Sequence, residues 1–138
     1  VEEDTADGLR LNNPAGHLDP GESPVDACVR EVLEETAYDF TPSALVGVYL
    51  NRFRRTRTGD DITYLRFVFT GQLGEHHAWR DLDDGIVRAV WLTPDELRSS
   101  STRHRSPLVL QSVNDYLAGQ RAPLGLIHTD ASVLQAPL

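Results

Sequence analysis

The stretch from Ser23 to Tyr38 constrains this chain most, because one helix must bury one face there and crowd three carboxylates on the other. Ser23 suits an N-cap, Pro24 the first helical position, and Asp26 complements the helix dipole in the first turn. At about 100° per residue, Val25, Val29, Val32 and Leu33 gather into an apolar stripe that needs a core to cover it. Glu31, Glu34 and Glu35 fall on the opposite face at i, i+3 and i+4, where like charges repel by a few tenths of a kcal/mol per pair. Arg30 offsets part of that repulsion. A hard divalent cation offsets the rest, since Mg²⁺ takes carboxylate and water oxygens and shares its shell with substrate phosphates. Taken alone, an E-x-x-E-E run is more often a solvated acidic face with an arginine pair.

The residues before the helix decide between these readings. Pro14-Ala15-Gly16 and Asp19-Pro20-Gly21 bracket a turn of backbone-permissive residues. Gly16 is followed after five residues by Glu22, and Glu22 after seven by Arg30. With Glu31, Glu34 and Glu35 this resembles the Nudix box, G-x5-E-x7-R-E-U-x-E-E-x-G-U, where U is bulky and apolar. At roughly one chance in fifteen per position, six fixed residues coincide at on the order of one start in ten million, which sets the bland alternative aside. Ala37 stands where the family has glycine. If that position is left-handed, alanine costs on the order of 1 kcal/mol but removes no ligand.

The resemblance implies that the Gly16 carbonyl and the Glu31, Glu34 and Glu35 side chains ligate metal, with Glu22 and Arg30 orienting them. It implies Mg²⁺ as cofactor, with Mn²⁺ able to substitute. Two such ions neutralise a diphosphate, align a water and stabilise the leaving oxygen. Glu34 is the candidate base for that water.

Composition narrows the partners. A length of 138 residues suits one domain with a real core and is too short for two, so residues 1–138 are read as a single domain. The net charge of −8, from 13 basic and 21 acidic residues, argues against a nucleic-acid binder. No apolar run approaches the roughly 20 residues of a membrane helix. Every basic residue is arginine. Arginine grips phosphate bidentately, although codon bias explains the missing lysine as well. The single Cys28 cannot form an internal disulfide, which fits a reducing, cytoplasmic setting. Its place beside Val25 and Val29 suits packing. Val1-Glu2-Glu3-Asp4 reads as the end of a strand already under way, and no methionine occurs, so a further strand is expected upstream.

Further along, Leu9-Arg10-Leu11, Ala44 to Arg52, Ile62 to Leu73 and Ile86 to Trp91 read as strands. Thr93-Pro94 and Ser106-Pro107 open helices, the second with Leu110, Val113 and Leu117 as apolar positions and Gly119 as its stop. Leu124 to Ile127 reads as a last edge strand. These elements suit an α/β architecture, a mixed sheet between helices, in agreement with the α/β/α sandwich that the resemblance implies.

A second resemblance spans more of the chain. Asn13-Pro14-Ala15-Gly16-His17-Leu18, Tyr64-Leu65-Arg66-Phe67, Arg105-Ser106-Pro107-Leu108-Val109 and Gly119-Gln120-Arg121-Ala122-Pro123-Leu124 are similar to the NudJ-type phosphatases within the superfamily. It implies hydrolysis of nucleoside tri- and diphosphates, or of the pyrophosphate of the thiamin pyrimidine precursor, with release of orthophosphate. A small-molecule nucleotide or pyrophosphate is thus the expected partner, and a monomer is expected ahead of a homodimer. Candidate substrate contacts are Arg54 in the arginine-rich loop, Arg66 on its strand and Arg105 before the last helix. Asp84 is the candidate loop acid. Each has a bland alternative as a hairpin tip, a surface ion pair or a flexible acidic loop. His76 and His77 beside these aspartates suggest zinc, but no cysteine or spaced second histidine pair supports it. An ADP-ribose or dinucleotide pyrophosphatase is the nearest enzymatic rival. A non-catalytic ligand sensor is the rival from another class.

Overall fold

The computed structural model describes residues 1–136. It comprises β1 (Glu2–Thr5), β2 (Gly8–Leu11), α1 (Pro24–Thr36), β3 (Tyr38–Arg54), β4 (Asp61–His76), β5 (Ile86–Arg88), α2 (Pro94–Ser99) and α3 (Leu108–Leu117). The strands form a three-stranded sheet in the order β2-β1-β5 and a two-stranded sheet of β3 and β4. All these strand pairs are antiparallel. Among the described residues, the parallel contribution is an isolated bridge between Leu11 and His104.

The β3–β4 hairpin is the spine. It runs from the Tyr38–His76 pair to the Arg54–Asp61 pair, with register shifts near Pro42 and Leu45. Pro42 cannot donate to the ladder, and the bulge beside it lets the strand continue. Opposite it, a Cβ on Gly71 would lie 2.1 Å from the Thr41 carbonyl oxygen, so only glycine fits the pair. The strand therefore begins at Tyr38, before the expected Ala44. Leu45 and Val46 are adjacent on β3 and both 3% exposed. Neighbouring strand residues point to opposite faces, so both faces are covered at this point, and α1 and α3 both pack on β3.

Ser23 caps α1 by accepting from the Asp26 N–H at 3.1 Å, and Pro24 opens the helix. Ala27 and Val32 are buried in the core. Burial pushes the Cys28 thiol up to about 11, so it packs as a neutral group. Thr93 caps α2 in the same way as Ser23 caps α1. The segment expected to be a last strand is instead a 3-10 turn at Leu124–Leu126. Pro123 removes a donor there, and the sheet contact moves upstream to a backbone bridge between Ala122 and Leu45.

Ala37 closes α1 with φ 61° and ψ 18°, the one positive-φ residue other than glycine among the described residues. Its N–H donates to the Leu33 carbonyl at 2.9 Å, and its carbonyl accepts from the His77 N–H at 2.8 Å. A left-handed alanine costs about 1–2 kcal/mol, of which glycine's greater freedom in the unfolded chain returns about 0.4–1 kcal/mol. Ala37→Gly should therefore raise Tm by about 2–4 °C, read by thermal melting, and leave turnover unchanged.

Candidate active site

α1 and the loop before it build the site around Arg30. Its Nε donates to Glu22 Oε2 at 3.0 Å, Nη1 to Glu31 Oε1 at 2.6 Å and to Glu34 Oε2 at 3.1 Å. Nη2 donates to the His17 carbonyl at 2.9 Å and to Glu22 Oε1 at 2.7 Å. All the guanidinium donors are thus engaged. Glu22 also accepts from the Asp19 N–H at 2.8 Å, which ties the turn to the helix. The paired Arg30 guanidinium holds the Glu22 carboxyl below its usual range, and Glu22 and Glu31 in turn hold Arg30 above its own.

Gly16 touches this arrangement through space that only glycine leaves. A Cβ there would lie 1.9 Å from Glu31 Cδ and Oε1. Its φ is not positive, so the requirement is close approach and not backbone conformation.

Glu31, Glu34 and Asp83 each offer an oxygen, all within 4.8 Å of one another. Asp83 arrives through its own N–H, which donates to the Glu34 carbonyl at 3.0 Å. The loop acid brought to the helix is therefore Asp83 and not the expected Asp84. The sequence signal for the loop was present, but its register is set by that backbone bond and by the turn at Gly85, which no periodicity reveals.

Glu35 also departs from the expected exposed face. It is 5% exposed and accepts from the Ala15 N–H at 3.3 and 3.4 Å. Burial pushes its carboxyl up to about 8. It faces inward, beneath the Pro14-Ala15-Gly16 turn.

The donor set fits a hard divalent cation. It consists of carboxylate oxygens with a backbone turn in van der Waals contact, and contains no soft ligand.

The remaining candidates are dispersed. Arg54 Nη1 donates to the Gly59 carbonyl at 2.8 Å and closes the hairpin tip, while Arg52 pairs with Asp61. Arg105 Nη1 donates to Glu3 Oε2 at 3.1 Å. Arg66 Nη2 donates to Asn12 Oδ1 at 3.3 Å, beside the turn that carries Gly16. Arg66, Arg105, Tyr64 and Glu31 line one cleft of 1470 Å³. His17 meets Tyr64 edge-on at 5.8 Å, and Phe53 lies 5.3 Å from the same ring. Half-buried His77, with exposed Asp39 and Glu75, forms a separate group at the open end of the β3–β4 hairpin.

Comparison with known proteins defines the class. The NUDIX domain family model matches residues 2–112, and the chain belongs to the Nudix family. It is a hydrolase acting on pyrophosphate bonds. Among individual proteins, it is 35% identical over 128 residues to Phosphatase NudJ of Escherichia coli strain K12, covering 92% of this chain and 80% of that one. Phosphatase NudJ of Shigella flexneri matches equally well, at 35% identity. Among solved structures, a NUDIX hydrolase from Nitrosomonas europaea superposes with a TM-score of 0.85 at 47% identity, covering 94% of this chain and 86% of that chain. No helix among the described residues is long and apolar enough to cross a membrane.

Proposed function

We propose that the chain hydrolyses phosphoanhydride bonds of nucleoside tri- or diphosphates, or of a pyrimidine pyrophosphate, with Mg²⁺ and with release of orthophosphate. The observation that carries this is the convergence of Glu31, Glu34 and Asp83 on one point beside Gly16, held by an arginine with no donor to spare. The 35% identity to proteins named Phosphatase NudJ supports a phosphatase over other Nudix activities.

Glu31, Glu34, Glu35 and the Gly16 carbonyl would hold the cation, with Asp83 completing the set. A bound divalent cation supplies charge neutralisation on the phosphate oxygens and lowers the pKa of a coordinated water. Arg30, itself anchored by Glu22, holds the Glu31 and Glu34 carboxylates in place. Glu34, with a side chain 27% exposed, is accessible to a water and is the proposed base. In the reaction, water oxygen bonds to one phosphorus, the bridging oxygen leaves with the other, and the water proton passes to the base. The aromatic group of His17, Phe53 and Tyr64 offers faces and edges to a flat heteroaromatic ring, which both substrate classes carry.

The test is release of phosphate and of pyrophosphate, with Mg²⁺, from nucleoside di- and triphosphates, the hydroxymethylpyrimidine pyrophosphate and ADP-ribose. Orthophosphate from the first three is the expected product. Turnover confined to ADP-ribose would keep the family and sink the phosphatase assignment. Tight ligand binding with no turnover would establish a sensor, although the intact box carboxylates argue against that outcome.

A further inference from the structure

Arg66 is the guanidinium whose chemistry the box leaves unexplained. Its Nη2 reaches Asn12 Oδ1, but its Nη1 is buried with no acceptor among the described residues. Buried polar groups in folded proteins are almost always paired, and an orphaned charged donor is among the costliest exceptions. Arginine cannot escape by losing its proton.

Its charged neighbours are of both signs. Arg105 lies close enough to Arg66 to oppose its charge, while Glu3 and Glu35 favour it. Glu3 is shared, accepting from Arg105 Nη1 at 3.1 Å and from Asn12 Nδ2 at 3.3 Å. Glu35 is committed to the Ala15 amide. Two guanidiniums thus lie beside the Glu3 carboxylate in a corner of the cleft that also reaches Gly16 and Glu31. Arg30 cannot assist an incoming anion, since its donors are all taken. The backbone ties Arg105 to the end of β2, its N–H donating to the Leu11 carbonyl at 2.8 Å.

We propose that Arg66 and Arg105 form a subsite for a free terminal phosphate, so that the chain selects phosphoanhydrides whose outer phosphate is unesterified. The proposal rests on the hydrolase function given above and deepens it. A terminal phosphate carries about −1.5 to −2 at pH 7 and three acceptor oxygens, whereas a doubly esterified one carries about −1. The adjacent guanidiniums and the unfilled Nη1 match what the terminal group has in excess. Arginine's planar fork suits two of its oxygens at once.

Binding and turnover of ADP and ADP-ribose by wild type, Arg66→Gln, Arg66→Lys and Arg105→Gln test this, by calorimetry and by Mg²⁺-dependent product release. Wild type should favour ADP. Arg66→Gln should cut that preference by about 10- to 100-fold, mainly through KM, as expected for a lost charged hydrogen bond. Arg66→Lys should restore part of it, because the charge returns without the fork. A folded Arg66→Gln protein with the wild-type ADP to ADP-ribose ratio overturns the subsite, and so does an equal loss on both substrates. Should Arg66→Gln fail to fold, Arg66→Lys and Arg105→Gln carry the same comparison. ADP binding that depends on Arg66 in a protein without turnover would keep the subsite and reject the hydrolase function. Turnover whose ratio ignores both arginines would do the reverse.

Discussion

Glu34→Gln and Glu31→Gln should each lower Mg²⁺-dependent phosphate release by about 10³-fold, the several kcal/mol that a correctly held cation contributes. Glutamine keeps the shape of glutamate and still offers an oxygen to Arg30 Nη1, so the helix and its anchors should survive. Removing one of several crowded negative charges also relieves repulsion at i and i+3 spacing. The metal-free variants should accordingly melt at or slightly above the wild-type temperature. Loss of turnover without loss of stability is the expected pattern, measured by phosphate release beside thermal melting. A variant that retains a tenth of wild-type activity would remove that residue from the proposed site.

Gly16→Ala should lower Mg²⁺-dependent phosphate release by about 10- to 100-fold, without replacing a charged residue. The added Cβ would lie 1.9 Å from Glu31 Oε1 and 2.3 Å from Oε2, and something must move. Backbone strain is not the cause, because alanine accepts this φ. The carboxylate is the mobile partner, but Arg30 Nη1 holds it at 2.6 Å, so eviction also disturbs Arg30. Metal affinity should fall by about 10- to 100-fold, as when the supports of a ligand are lost. The metal-free melting temperature should change little, while the upward shift on adding Mg²⁺ should shrink. Combining Gly16→Ala with Glu31→Gln should cost little beyond Glu31→Gln alone, since both act on one carboxylate. Additive losses would mean that the Gly16 contact matters for another reason.

The parts of the site legible in the sequence are those set by helical geometry. Ser23, Pro24, Arg30, Glu31 and Glu34 sit within a few turns of one helix, where spacing dictates which side chains meet. Ala37 was legible too, because a helix end needing a left-handed residue imposes a conformational demand on one position. What spacing could not give is packing between distant segments. Glu35 shares the helix with Glu31, yet the Pro14–Gly16 turn folds over it and takes it from solvent. Asp83 and Asp84 are equivalent on composition, and one backbone bond to Glu34 separates them. Pro42 reads as a strand breaker, and the bulge opposite Gly71 absorbs it. Arg54 and Arg66 both occupy the hairpin, but whether an arginine closes a turn or faces a cleft depends on which neighbour it finds.

The partners of Arg30 have a consequence for how the molecule comes together. Glu22, Glu31, Glu34 and the His17 carbonyl all lie within one short contiguous stretch of chain, so few residues need to be looped out to bring them into register. Chain closure over such short separations is entropically cheap and fast. The carboxylate frame can therefore assemble with its own helix before the long β3–β4 ladder has zipped. Asp83 reaches the same point only after the whole hairpin has been laid down between them. The proposed reactive centre is thus a local cassette with one late-arriving member, portable as a unit in all but that last carboxylate.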